Sequence, residues 1–222
     1  SWSSDGTLRL WDADGGAIAT LSGHMDWVNG ALELSDGRLL SWSYDGTLRL
    51  WDADGGTIAT LSGHTEYVWN AMELSDGRLL SWSGDDTLRL WDTNGSAIAT
   101  LSGHTASVYG VLALSSGRLL SWSADDTLRL WDTNGGAITT LSGHTSDVYG
   151  ARILSGGRIL SWSEDGTLRI WQDYPNLHEY ACTRVFRDLT YRERELYNIR
   201  DADGNIDLSP TCPQFEPITP PQ

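Results

Sequence analysis

The chain has 222 residues, enough to bury one or two hydrophobic cores, and its formal net charge at pH 7 is −15. A chain this acidic is repelled by phosphate backbones, so we expect no nucleic acid partner. No apolar run is long enough to span a bilayer and no secretory signal is recognisable. These features predict a cytoplasmic protein with no membrane insertion.

Composition changes abruptly near residue 172. Every Pro and both cysteines, Cys182 and Cys212, follow Trp171, whereas no Trp does. We therefore predict a repeat region over 1–171 and a separate extension over 172–222. The two cysteines could pair, but in a chain without a secretory signal reduced thiols are the better interpretation.

The first region is built from a 40-residue repeat that never changes register. SWSSDGTLRLWDADGGAIATLSGHMDWVNGALELSDGRLL occupies 1–40, and near-copies follow over 41–80, 81–120 and 121–160, with a fifth that ends at Trp171. In the second copy, turn signals separate four runs of strand-forming residues, at 47–51, 57–61, 67–74 and 78–83. Four short strands per copy match one blade of a β-propeller, so we predict an all-β fold.

The positions of Gly-His, of an Asp in the following hairpin and of Trp-Asp resemble the WD-repeat family. They stand, for example, at Gly23-His24, Asp45 and Trp51-Asp52, and they recur in phase over 1–171. The one departure is Gln172, which replaces the Asp after Trp. The resemblance implies a β-propeller of four-stranded antiparallel blades, of which this chain holds about four and a half.

The resemblance also implies that the ring of blades is open, since such propellers commonly close with about seven blades. The first copy has no Gly-His before it, and the last copy lacks its outermost strand. Apolar blade faces would then be exposed at both ends. We expect residues upstream of Ser1, or a second copy of the chain, to cover them.

Ser, His, Asp and Trp recur together in the repeats. Taken alone, Ser-His-Asp suggests a hydrolase triad, but one active site needs one set and this one occurs four times. We therefore predict a structural network, with no catalytic residue and no cofactor. Histidines on four separate blades do not converge on one ion, so we also expect no metal site. The sets are His24/Ser41/Asp45/Trp51, His64/Ser81/Asp85/Trp91, His104/Ser121/Asp125/Trp131 and His144/Ser161/Asp165/Trp171.

The family resemblance implies how each set is connected. The Trp indole N–H would donate to the Ser hydroxyl, the Ser would bond the His, and the His would bond the hairpin Asp. Such a chain satisfies polar groups that are buried between blades and holds the loops in place.

The copies differ mainly just after Gly-His and at the residue before the hairpin Asp. In a propeller both stretches would lie on one face, around the mouth of the central channel. Large aromatic residues are typical of binding surfaces, and neutral drift does not readily explain aromatics at the same position in three copies. Because that position varies, we expect truncation of Trp69 to weaken binding and leave stability nearly unchanged. The predicted partner-binding residues are Trp27, Asn29, Tyr44, Tyr67, Trp69, Tyr109, Asp147 and Tyr149.

The extension over 172–222 leaves the repeat. We predict short helices over 176–185 and 190–198, then a Pro-rich tail. The runs ACTRVFRDLT, RERELY and TCP resemble a segment that follows WD repeats in bacterial multidomain signalling proteins, where the repeats act as the sensor. Alternating carboxylates over 201–207 suggest a calcium loop, but Ile206 stands where such a loop requires Gly, so a polar turn is the better interpretation.

Two functions remain after these exclusions. The first is a non-catalytic protein-interaction or sensor scaffold, part of a larger bacterial signalling protein, that binds a protein or peptide through its blade-top loops. The second is a structural self-assembly unit, a homo-oligomer in which blades of several chains close one ring. An enzymatic function is not supported, because the candidate catalytic set Ser-His-Asp occurs four times and one active site needs only one.

Overall fold

In a computed structural model of the chain, residues 1–155 and 157–172 are described, and within them the ordered elements are seventeen strands. The chain divides into the units Ser1–Trp171 and Gln172–Gln222. The predicted helices, the Pro-rich tail, the two cysteines and the polar turn over 201–207 lie outside the described residues. In the described part, no helix is long and apolar enough to cross a membrane.

The strands form five sheets, which we number as blades in chain order. Blade 1 contains β1 (Thr7–Trp11) and β2 (Ala17–Ser22). Blade 2 contains β3 (Val28–Glu33), β4 (Leu39–Ser43), β5 (Leu48–Trp51) and β6 (Thr57–Leu61). Blade 3 contains β7 (Val68–Glu73), β8 (Leu79–Ser83), β9 (Leu88–Trp91) and β10 (Ala97–Leu101). Blade 4 contains β11 (Val108–Ala113), β12 (Leu119–Ser123), β13 (Thr127–Trp131) and β14 (Ala137–Ser142). Blade 5 contains β15 (Val148–Ile153), β16 (Arg158–Ser163) and β17 (Leu168–Gln172).

Three four-stranded blades between two incomplete ones confirm the predicted architecture. The four strands predicted in the second copy agree with β5 to β8 within one residue at each end. Leu48 and Leu50 alternate with the less buried Arg49, as expected where one face of a strand packs against a core. The Asp76-Gly77 turn forms between β7 and β8, with Gly77 at φ +83°, a left-handed conformation that glycine adopts without strain.

The innermost strands are β3, β7, β11 and β15. Each lies at the edge of its sheet, and β3 contacts β7, β7 contacts β11, and β11 contacts β15. The turns that precede these strands and the hairpins between the second and third strand of each blade therefore lie on one face. We call this the blade-top face.

The hydrophobic core lies between blades rather than within them. Leu48, Leu50 and Leu61 of blade 2 pack with Val68 and Trp91 of blade 3. The same pattern recurs at the other contacts between blades. Each blade thus offers leucines on one face and the Trp at the end of its third strand on the other, so the contacts are head to tail.

At the two ends of the array these residues lose their partners. Trp51 is 1% exposed, but Trp11, at the same repeat position in blade 1, is 46% exposed. Leu48 is fully buried, whereas its equivalent in blade 5, Leu168, is 69% exposed. The expected exposure of apolar blade faces at both ends is confirmed.

This contrast predicts that one substitution has different effects at equivalent positions. Leu88→Ala in blade 3 should destabilise the fold by about 2–5 kcal/mol, because it leaves a cavity between blades. Leu168→Ala should change the free energy of unfolding by less than about 0.5 kcal/mol, since its side chain is mostly in solvent. Urea unfolding of both variants measures the difference, and equal losses would contradict the head-to-tail core.

Candidate functional site

Trp, Ser, His and Asp lie within hydrogen-bonding distance of one another in each of blades 2 to 5. In blade 2, Trp51 Nε1 donates to Ser41 Oγ at 2.9 Å, and His24 Nε2 lies 2.8 Å from the same oxygen. His24 Nδ1 lies 3.0 Å from Asp45 Oδ2. The equivalent distances in blades 3, 4 and 5 are 2.7–3.0 Å. The structure therefore brings together all sixteen residues of the predicted network.

The bonding pattern assigns a proton to each group. Ser41 Oγ accepts from Trp51, so its own hydrogen is free to donate to His24 Nε2. His24 then carries its proton on Nδ1 and donates it to Asp45. The histidine thus links a hydroxyl on one strand to a carboxylate on the hairpin.

The network serines are completely buried, so none of them can contact a substrate or a partner. In blade 4, Ser121 Oγ accepts from Trp131 at 2.9 Å and lies 2.7 Å from His104 Nε2. In blade 5, Ser161 Oγ lies 2.8 Å from both Trp171 Nε1 and His144 Nε2. A nucleophile has to reach its substrate, and these hydroxyls do not. Their role is internal to the blades, and the residues with 0% exposure are Ser41, Ser81, Ser121 and Ser161.

The hairpin Asp collects more donors than the sequence analysis predicted. Asp85 Oδ2 accepts from His64 and from the backbone N–H of Thr65, while Oδ1 accepts from both the N–H and the hydroxyl of Thr87. Burial raises the pKa of Asp85, but these bonds outweigh it and hold the pKa well below its ordinary value. The carboxylate thus ties the loop after Gly-His to the hairpin.

Six of the predicted binding residues form one aromatic cluster on the blade-top face, which we call the aromatic rim. It comprises Trp27, Tyr44, Tyr67, Trp69, Tyr109 and Tyr149 and crosses blades 2 to 5. Its consecutive ring centroids are 5.9 Å apart for Trp27–Tyr44, 5.3 Å for Tyr44–Tyr67, 4.8 Å for Tyr67–Trp69, 6.3 Å for Trp69–Tyr109 and 6.1 Å for Tyr109–Tyr149. These are the separations at which aromatic rings attract one another.

A recurring β-bulge explains why this position in the repeat is free to vary. The pairing of each innermost strand with its neighbour skips one residue, namely Asn29, Trp69, Tyr109 or Tyr149. A bulged residue has no cross-strand partner, and its side chain is redirected. The fold thus places a side chain at this position without requiring a particular residue type.

The two polar residues predicted to bind a partner, Asn29 and Asp147, also form hydrogen bonds between neighbouring blades. Asn29 Nδ2 donates to the carbonyl oxygens of Val68 and Trp69, at 3.2 and 2.9 Å. The hydroxyl of Tyr109 donates to Asp147 Oδ2 at 2.8 Å, and this bond, with burial, raises the pKa of Tyr109 to about 12. Asn29 thus bonds to the backbone of one rim residue, Trp69, and Asp147 bonds to the side chain of another, Tyr109.

Trp69 corrects one sequence expectation. Its side chain is half-buried, packs against the core between blades 3 and 4, and has edge contacts with Tyr44, Tyr67 and Tyr109. Truncation of Trp69 would therefore cost stability, contrary to the expectation. Trp27 and Tyr149, which are 58% and 51% exposed, are the residues that can be truncated with little structural loss.

The sequence analysis also missed two aspartates in the hairpins of the blade-top face. Asp86 and Asp126 have φ angles of +66° and +65°. The equivalent residues are glycines in the other copies: Gly6, Gly46 and Gly166. Comparison of the copies at this position would have revealed both. In the described part of the chain, no group of three or more His, Cys, Asp or Glu side chains is arranged to hold a metal ion.

Comparison with known proteins shows which of them share this geometry. The model "WD domain, G-beta repeat" matches residues 15–52, 55–92, 95–132 and 135–172. The chain resembles the crystal structure of the WD40 beta propeller domain of Doa1, with 30% identity and a TM-score of 0.63 over 78% of this chain. It also resembles the computationally designed Ika8 protein, with 26% identity and a TM-score of 0.68 over 78%. The chain spans 60% of the first structure and 54% of the second, less than two thirds of either. A search of curated proteins gave no match.

The network predicts a specific loss on removal of the indole N–H. Trp91→Phe should destabilise the fold by about 1–3 kcal/mol, because the buried Ser81 hydroxyl loses a donor. Trp11→Phe is the matched control, since the equivalent bond to Ser1 is exposed and its loss should cost less. Chemical unfolding measures both, and equal costs would show that burial of the network contributes nothing.

Proposed function

The chain belongs to the WD40 repeat family, whose propellers generally mediate protein interaction or scaffolding, and from this we propose that its blade-top face binds a protein or peptide partner without catalysis. The observation that supports this function most strongly is the aromatic rim. Its rings are large and mutually packed, so little side-chain freedom would be lost on binding.

The rim combines a fixed centre with exposed ends. Trp69 and Tyr67 are half-buried and packed edge to face, whereas Trp27 at one end and Tyr149 at the other are mostly exposed. Interfaces commonly derive most of their binding energy from a few aromatic residues of this kind. The proposed contact surface therefore runs from Trp27 to Tyr149, with Asn29 and Asp147 as supports.

We further propose that this binding serves a sensor within a larger bacterial signalling protein. The support is the resemblance of residues 181–213 to the segment that follows WD repeats in such proteins. In this setting the partner bound at the rim would be the signal, and an attached effector would respond to it.

The rim can be tested without knowledge of the natural partner. Peptides selected from a random displayed library against the wild-type chain should bind Trp27→Ala and Tyr149→Ala about tenfold or more weakly, since these rings expose the largest area to a partner and an interface aromatic often carries about 2 kcal/mol. Fluorescence anisotropy with the selected peptides measures the affinity. Both variants should keep a nearly unchanged melting temperature.

The matched controls are Ile58→Ala and Ile98→Ala, which remove exposed apolar side chains from the outermost strands β6 and β10. Affinity should change less than about twofold in these controls. Normal binding of the selected peptides to both rim variants would exclude the rim as the recognition surface.

A second function, self-assembly of blades from several chains, is favoured by the exposed ends of the array. Trp11 of blade 1 and Leu168 with Ile170 of blade 5 are the two halves of the contact that interior blades bury. We propose that a second copy of the chain covers them, with blade 1 of one copy against blade 5 of the next. Such a head-to-tail contact closes a ring or extends as a filament.

Self-assembly predicts that the chain in solution has a mass greater than one copy and that its stability rises with protein concentration. Ile170→Asp, which places a charge on the exposed face of blade 5, should lower the mass to that of one chain. Ile58→Asp on the outer edge of blade 2 is the control and should leave the mass unchanged. Light scattering after size exclusion gives the answer, and a single-chain mass for the wild type at every concentration would exclude this function.

A further inference from the structure

The blade-top face carries more acidic than basic groups. Its loops contain no Lys or Arg within the described residues, but the guanidinium groups of four strand arginines lie against its glycines Gly23, Gly63, Gly103 and Gly143; these are Arg49, Arg89, Arg129 and Arg169. The top loops span residues 3–6, 23–27, 44–47, 62–67, 84–87, 102–107, 124–126, 143–147 and 164–167. Apart from the network aspartates and Asp5, their acidic residues are Asp26, Glu66, Asp86, Asp126, Asp147 and Glu164. We call these six residues the acidic border.

Two members of the acidic border are placed there at a conformational cost. Asp86 and Asp126 adopt left-handed backbone conformations where three other copies have glycine. Asp tolerates this conformation better than most residues, but glycine adopts it without strain. The hairpin therefore does not need a carboxylate at this position.

One of these carboxylates, Asp86, also carries an electrostatic cost. Burial, followed by the negative charges of Asp85 and Asp125, raises the pKa of Asp86. A cation supplied from outside would relieve this repulsion.

Acidic groups also lie beside the aromatic rings of the rim. Burial and the nearby carboxylates of Glu164 and Asp147 raise the pKa of Tyr149. Glu164 is fixed by the hydroxyl of Ser146 at 2.8 Å, and its backbone N–H donates to the carbonyl of Asp147. A half-exposed ring flanked by carboxylates suits a cation, which is attracted both by the ring face and by the negative charge.

We propose that the aromatic rim and the acidic border together recognise a Lys- or Arg-bearing peptide segment of the partner. The aromatic faces would contact the stems and charged heads of the basic side chains, and the border would neutralise their charge. This inference rests on the proposed function, since it specifies the chemistry of the partner bound at the same rim.

The test compares two probes that differ only in charge. One is a synthetic peptide of alternating Arg and Ser, and the other is the same peptide with citrulline, the neutral isostere, in place of Arg. The Arg peptide should bind about tenfold more tightly than the citrulline peptide, a difference of about 1.4 kcal/mol. Its affinity should fall when salt is raised from about 0.01 M to about 0.15 M, because exposed charges are screened.

Charge-removal variants locate the effect. Asp86→Asn/Asp126→Asn should weaken binding of the Arg peptide by about fivefold or more and leave binding of the citrulline peptide unchanged. Asp14→Asn/Asp54→Asn removes the same charge from exposed turns of the opposite face and should change neither affinity by more than about twofold. Asp86→Gly/Asp126→Gly should weaken Arg binding equally and raise the melting temperature, because the left-handed strain is removed.

The outcomes separate this inference from the proposed function. Equal affinity for the two peptides, no binding of the Arg peptide, or equal effects of the two Asn pairs would each overturn recognition of a basic segment. The proposed function would still stand if Trp27→Ala and Tyr149→Ala weakened binding of the library-selected peptides. It would fall if those selected peptides bound both variants normally.

Discussion

The hydrogen bond between the histidine of each Gly-His turn and the hairpin aspartate is the contact on which the described structure depends most. His24 lies on the connection from blade 1 to blade 2, whereas Asp45 lies on a hairpin of blade 2, so the bond joins two separate loops. Asp45 also accepts from the backbone of Met25, and the next loop contact, from Tyr44 N–H to the carbonyl of Trp27, lies beside it. Loss of the histidine would leave a half-buried carboxylate short of donors and release the loops that carry the aromatic rim.

Much of this arrangement follows from local sequence because its causes are local. Strand alternation and Asp-Gly turns act over a few residues, which is why β5 to β8 were predicted to within one residue at each end. The structural role of the network was predictable because four copies in one chain preserve the same four residue types in phase, whereas its connections were implied by the resemblance to WD repeats. The contributions of Thr65 and Thr87 to Asp85 were missed. A backbone N–H that donates to a carboxylate leaves no compositional signal, but the Thr87 hydroxyl recurs at the same position of every copy and could have been recognised.

The features that escaped prediction depend on contacts between blades. Trp69 was expected to contribute little to stability because its position varies between copies. Its neighbours Tyr44, Tyr67 and Tyr109 come from separate loops and strands, however, and pack around it. The bulge that presents this residue is a register shift between paired strands, which a pattern along one strand does not reveal.

The near-identity of the blades and the variety of their top face are two consequences of one geometry. Each blade has to present leucines to the next blade and a tryptophan to the one before, so a change in the shared face disturbs two contacts at once. The bulged residue and the hairpin residues beside the network aspartate lie outside that shared face and differ from blade to blade, although Asn29, Trp69 and Tyr109 still contact the next blade. Substitutions there accumulate rings that pack with one another and carboxylates that, with the network aspartates, outnumber the arginines lying against the same loops. A rigid surface whose charge is not balanced internally gains most from a partner that supplies the opposite charge.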